Sequence, residues 1–193
     1  MKYRSILLFG APGVGKGTQG KILGVIPNFF HCACGDVFRN LRGDSPLWKV
    51  FIDYSSRGQL VPDEQAIELW RQFIDASKKN GQFHPDRDTL VLDGIPRNVR
   101  QAEILRDTLD VAGIFYLKSS NEEHLINRIQ RRALKENRLD DVNLNVIRDR
   151  LHVYEKETLP VLGFYGPQLV HHINADQSPA KVLSDILRLA VRE

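Results

Sequence analysis

A chain of 193 residues is long enough for one domain with a core of its own. With 42% hydrophobic residues, 26% charged residues, 14 Gly and 9 Pro, it is not collagen-like, mucin-like or disordered. A net charge of +3 is too mild to argue for nucleic acid or a membrane surface, yet 17 of the 27 cations are arginine, whose planar fork of donors suits anionic ligands.

Short apolar runs alternate with longer stretches of helical pattern. The runs fall at residues 5–9, 29–33, 89–92, 114–117 and 169–173, and each is nearly continuous, as strands buried on both faces are. The alternation predicts an α/β fold with a doubly wound, parallel, five-stranded sheet flanked by helices, in a single domain over 1–193. The uncharged run at 5–9 is too short for a signal-peptide core, and nothing approaches about 18 consecutive apolar residues, so a soluble cytoplasmic protein is expected.

Two stretches read as insertions: residues 33–62, punctuated by Gly35, Gly43, Pro46, Gly58 and Pro62, and the polar run 131–141. The helix before the second is expected to start at a capping box, Ser120 with Glu123. A later helix, residues 143–158, should stop before Pro160. Cys32 and Cys34 are too close for an ordinary disulfide and too few for a zinc site, which suggests buried thiols in a reducing compartment.

The strongest signal is GAPGVGKGT, residues 10–18, between the first apolar run and a helical stretch. Glycines let the backbone wrap a phosphate with its N–H groups, the helix N-terminus adds partial positive charge, and Lys16 adds a full one. Position, the three glycines before the lysine and the lysine itself argue together against an ordinary Gly-rich turn. Gly17 follows the lysine, so the hydroxyl arrives one place later, at Thr18. Further on, the run 89–92 ends in Asp93, at a strand's carboxyl end, where open α/β sheets bind ligands. Arg128, Arg131 and Arg132 are spaced to share one helical face.

The form GxPGxGKGT is that of nucleoside monophosphate kinases, and the sequence resembles the adenylate kinase family over nearly its whole length. The resemblance implies a P-loop fold in which 33–62 is a helical NMP-binding insertion and 131–141 a short lid. It implies ATP binding by Gly13, Val14, Gly15, Lys16, Gly17, Thr18, Arg128, Arg132 and Gln177. Cys34 and Arg39 fall in a segment like S-T-G-D-x-x-R, with Cys34 where Thr or Ser is usual; Gln59, Leu60 and Val61 follow Gly58 as in the G-x-L-V turn. Gly94, Ile95, Pro96 and Arg97 match D-G-F-P-R with Ile for Phe. With Gln101, which would read the adenine edge, and with Arg138 and Arg150, these residues form the implied AMP site.

By the same resemblance Lys16, Asp93, Arg97, Arg132, Arg138 and Arg150 form the catalytic group. Asp93 holds Mg2+ through water, with Thr18 a further candidate. Residues 141–151 are one longer than the usual pattern, so Arg148 is an alternative to Arg150. Asn98 and Cys34 are departures that leave a UMP/CMP kinase open. The expected activity is reversible phosphoryl transfer from ATP with Mg2+ to a nucleoside monophosphate, AMP first, by positioning and charge stabilisation. A GTP switch would need N-K-x-D, which the chain lacks; a non-catalytic P-loop nucleotide binder is the alternative of another class. Nucleotides are the expected partners, with no nucleic acid, no membrane and a monomeric state.

Overall fold

The computed structural model describes residues 2–136 and 143–190. Strands β1 (Tyr3–Phe9), β2 (Phe29–Ala33), β3 (Thr89–Asp93), β4 (Leu109–Lys118) and β5 (Val170–Asn174) form one sheet in the order β2-β3-β1-β4-β5. Every pairing is parallel. Strands fall on all five expected runs. β4 starts earlier than its run because Leu109 and Val111 alternate with polar or small neighbours while pairing with Tyr3 and Ser5.

Neighbouring residues of β1 explain why the runs are continuous. Leu7 and Phe9 pack into a core with Leu90, Leu92, Trp70 and Ile114; Ile6 and Leu8 face a second core with Val91, Phe115, Leu23 and Ile129. Both faces are thus covered at the centre of the sheet, and a polar residue at these positions would be buried.

The helices are α1 (Lys16–Leu23), α2 (Cys34–Arg39), α3 (Pro46–Ser55), α4 (Asp63–Lys79), α5 (Val99–Leu105), α6 (Glu122–Glu136), α7 (Leu144–Val153), α8 (Val161–Tyr165) and α9 (Pro179–Ala190). α2 and α3 occupy the stretch expected as an insertion. The start of α6 differs from expectation: Asn121 caps it, its Oδ1 accepting from the His124 N–H at 3.0 Å. Ser120 is drawn elsewhere, its hydroxyl donating to Asp176 at 2.9 Å. The 143–158 helix starts under an Asn143 cap and ends in a π-helical turn, Tyr154–Thr158. Residues 137–141 of the expected lid, with Arg138, lie outside the described residues. Among the described residues no helix is long and apolar enough to cross a membrane.

Candidate active site

The sheet register brings the site together. Ala33 of β2 and Leu8 of β1 both align with Asp93 of β3, so three strands end in one row beside the glycine loop. Gly10, at φ 141°, needs the freedom of glycine, because a side chain there would run into the Leu117 carbonyl. A side chain at Gly13 would stand 2.7 Å from the Leu125 carbonyl oxygen, so the loop is seated on α6, the helix of Arg128 and Arg132.

The loop delivers α1 with its N-terminus open. Gly15 supplies no side-chain cap, and the first turn carries no acid. The first N–H groups of α1 therefore look for an anion outside the helix. Lys16 folds back across the loop, its Nζ donating to Gly10 O at 2.7 Å and to Ala11 O at 3.2 Å. Burial lowers its pKa to about 8; Asp93 opposes this, and Arg97, Arg132 and Arg150 add to it. Around the cleft Lys16, Arg39, Arg97, Arg128, Arg131, Arg132 and Arg150 outnumber the carboxylates Asp36, Asp93 and Glu136, so the site favours an anionic ligand.

Asp93 faces α1. A carbon placed on Gly17 would lie 3.5 Å from Asp93 Oδ2, an ordinary contact. The Asp93 carboxylate and the Thr18 hydroxyl are hard oxygen donors, and a single carboxylate suits Mg2+, which keeps waters and substrate phosphates in its shell.

A second cationic focus lies over Gly35. A carbon added there would stand 3.0 Å from Arg39 Nη1 and 3.6 Å from Arg97 Nη2. Arg39 is set by Asp36 at 3.4 Å and by the Phe51 ring, 5.5 Å from its guanidinium carbon. Phe51 in turn stacks on Phe38 at 5.2 Å. Arg97 is fixed along its whole length. Its N–H donates to Gln101 Oε1 at 2.8 Å, its Nε to Gly94 O at 2.8 Å, and its carbonyl accepts from Thr158 Oγ1 at 2.6 Å. Cys34 beside them is buried, and desolvation pushes its thiol up to about 11, so it stands there as a neutral thiol.

All these groups line one cleft of about 770 Å³. Its walls include Gly13, Val14, Gly15, Lys16, Gly17, Thr18, Arg128, Arg132 and Gln177. Cys34, Arg39, Gln59, Leu60, Val61, Gly94, Pro96, Arg97, Gln101, Asp93 and Arg150 line the same cleft. Ile95 is not brought to it: at 2% exposed, its side chain belongs to the core. Arg150 lines the cleft whereas Arg148 is exposed away from it. Asn98, read as a departure bearing on the base, does not line the cleft either. Its side chain caps α5, accepting from the Gln101 N–H at 2.8 Å.

Other groups of the site escape sequence reasoning. Thr158 and Phe51 line the cleft but carry no motif. Asp176 is exposed, and its carboxylate accepts from Ser119 Oγ, Ser120 N and Ser120 Oγ at 2.5, 2.8 and 2.9 Å. Those bonds lower its pKa to about 2. They tie the turn holding Ala175 and Gln177 to the start of α6.

A family model described as adenylate kinase matches residues 8–170. Curated relatives named adenylate kinase include one from Parabacteroides distasonis, 34% identical over 83% of each chain. Another, from a Cyanothece species, is 37% identical over 94% of this chain and 92% of its own. A third, from Thermobifida fusca, is 38% identical over 83% of each chain.

Proposed function

The chain belongs to the adenylate kinase family, and we propose on that premise that it reversibly transfers the terminal phosphoryl group of ATP to AMP, giving two ADP. One observation carries the reading: the Lys16 loop and the Arg39–Arg97 pair, two separate groups of anion-binding donors, line one and the same cleft.

In this reading the loop from Gly13 to Thr18 and Lys16 hold the donor phosphates, with Arg128 and Arg132 from α6 and the Gln177 turn at the donor base. Arg39 and Arg97 hold the acceptor phosphate; Cys34, the 59–61 turn, Gly94, Pro96 and Gln101 line the acceptor's nucleoside. Lys16, Arg97, Arg132 and Arg150, which act together on one point of the cleft, offset the charge spread over the transferring oxygens. Arg138, outside the described residues, is assigned to the same group by the family resemblance alone. Adenylate kinases use ATP with a divalent metal; here Asp93 would hold Mg2+ through water, with Thr18 a further candidate, and the ion would neutralise phosphate charge. Asp93 is oriented for that task by facing the first turn of α1. Within a single domain, the NMP-binding insertion over 33–62 closes over the acceptor and helps to exclude water, which would otherwise accept the phosphoryl group. The protein works in the cytoplasm as a monomer whose partners are nucleotides rather than nucleic acid or membrane.

A nucleotide panel tests this. Protein, ATP and Mg2+ are combined with AMP, CMP, UMP, GMP or dTMP, and diphosphates are followed chromatographically. Turnover preferring AMP is expected. A CMP or UMP preference would overturn the acceptor assignment, and no transfer to any acceptor would overturn the enzyme.

A further inference from the structure

Behind the acceptor wall, outside the lining of the cleft, stands a carboxylate that the proposed chemistry does not use. Asp63 opens α4. Its Oδ1 accepts from Asn98 Nδ2 at 2.8 Å and from Gln101 Nε2 at 2.9 Å. On the other side of the same amide, Gln101 Oε1 accepts from the Arg97 N–H at 2.8 Å. Gln101 is 2% exposed yet lines the cleft; Asp63 and Asn98 do not line it.

These partners fix which way the amide faces. An ionised carboxylate offers only lone pairs, and a backbone N–H offers only a proton. The Gln101 atom towards Asp63 must therefore be the amino nitrogen, and the atom towards Arg97 the oxygen. Turned over, both contacts become repulsive. One N–H and one oxygen lone pair of Gln101 are left to meet a base, in a fixed order.

We propose that Asp63 is a positioning residue that selects the acceptor purine by locking the Gln101 amide. The inference rests on the reading of Gln101 as the group that meets the acceptor base. Set with N1 on the Gln101 Nε2 side and C6 on the Oε1 side, adenine presents an acceptor at N1 beside an amino donor at C6, which this amide order matches. Hypoxanthine presents the reverse, an N–H at position 1 beside a carbonyl oxygen at position 6, and needs the amide turned over. The lock thus favours AMP against IMP. Because the Gln101 oxygen also holds the Arg97 N–H, the same network joins base selection to the arginine over Gly35.

The test measures kcat and KM for AMP and for IMP, at saturating ATP and Mg2+, in the wild type, Asp63→Ala, Asp63→Asn and Gln101→Leu. Asp63→Ala is expected to raise the KM for AMP by about tenfold, the factor one hydrogen bond to a charged group supplies, with kcat and the KM for ATP little changed. IMP is not penalised alike, so the AMP-to-IMP ratio of kcat/KM falls by a similar factor. Asp63→Asn keeps the shape but lets either end of its amide face Gln101, and should move the ratio the same way by about threefold; it serves if the alanine variant does not fold. Equal losses for both acceptors, or an unchanged ratio, would overturn the positioning role. If Gln101→Leu collapses the ratio while both Asp63 variants preserve it, only the role of Asp63 fails. If Gln101→Leu leaves the ratio unchanged, the base reading itself fails, and the inference with it.

Discussion

Thr158 Oγ1 donates a hydrogen bond of 2.6 Å to the carbonyl of Arg97, 61 positions earlier in the chain. Thr158 ends the π-helical turn that follows α7, the helix of Arg150. The bond therefore connects the segment behind Arg150 to the loop that aims Arg97, and π-helical turns recur where a functional group must be re-aimed. Replacing Thr158 by Val removes the donor and leaves the carbonyl without it. The expected outcome is a loss of about tenfold in kcat/KM for AMP, with the KM for ATP unchanged. Thr158→Ser, which keeps the hydroxyl, should retain most of the activity. Steady-state kinetics with each nucleotide varied in turn would decide it.

The lowered pKa of Lys16 predicts a pH dependence. In the free protein the ammonium loses its proton around pH 8, so kcat/KM for ATP should fall as the pH rises through that value. Bound phosphates favour the charged form, so the decline in kcat should lie at higher pH. Stability moves the opposite way. Between about 8 and the ordinary lysine value of 10.5 the unfolded chain binds more protons at this group than the folded one, so rising pH favours the folded state there. Parallel pH profiles of kcat, kcat/KM and melting temperature separate the two effects. Lys16→Met should remove the alkaline decline and lower kcat by at least about 100-fold.

Gly58 is the point where the acceptor turn touches α7. Its φ is 70°, and a side chain there would stand 2.9 Å from Val146 O and 3.1 Å from Arg150 N. Gly58→Ala combines backbone strain with a clash against backbone that cannot step aside. A destabilisation of about 2 kcal/mol is expected, a fall of roughly 5 °C in Tm by thermal denaturation. Because the atom displaced belongs to Arg150, turnover at a temperature where the variant stays folded should fall as well.

Asp176 makes the clamp between the turn after β5 and the start of α6. Asp176→Ala should raise the KM for ATP by about threefold and leave that for AMP unchanged, as loss of a partly exposed set of hydrogen bonds would do. Since Ser119 and Ser120 hold the carboxyl pKa near 2, the clamp is present above the ordinary aspartate range and is lost only as pH falls towards 2. Between pH 5 and 8 the KM for ATP should not change through this group.

The five strands were legible because parallel strands covered on both faces are mostly apolar at consecutive positions, a signal carried by neighbours in the chain, as Ile6 to Phe9 and Leu90 to Leu92 show. The glycine loop was legible for a related reason: close approach to a phosphate restricts several consecutive residues at once. The start of α6 was misread because Ser120 and Asn121 are both good caps, and only the proximity of Asp176 draws Ser120 away. The choice between Arg148 and Arg150 needed the phase of α7 against the sheet, which puts Arg150 in the cleft and Arg148 in solvent.

Patterning along the chain suffices for the α/β alternation, the phosphate loop, and the residue types that meet at the carboxyl ends of β1, β2 and β3. Tertiary structure alone decided how those groups are held: Asp63 against Gln101 across 38 positions, Thr158 against Arg97, and Asp176 against Ser119 and Ser120. Periodicity and glycine placement are consequences of local backbone geometry and can be read along the chain. A hydrogen bond between distant residues depends on sheet order and helix packing, and a lone Asp or Thr carries no local mark of the partner it will meet.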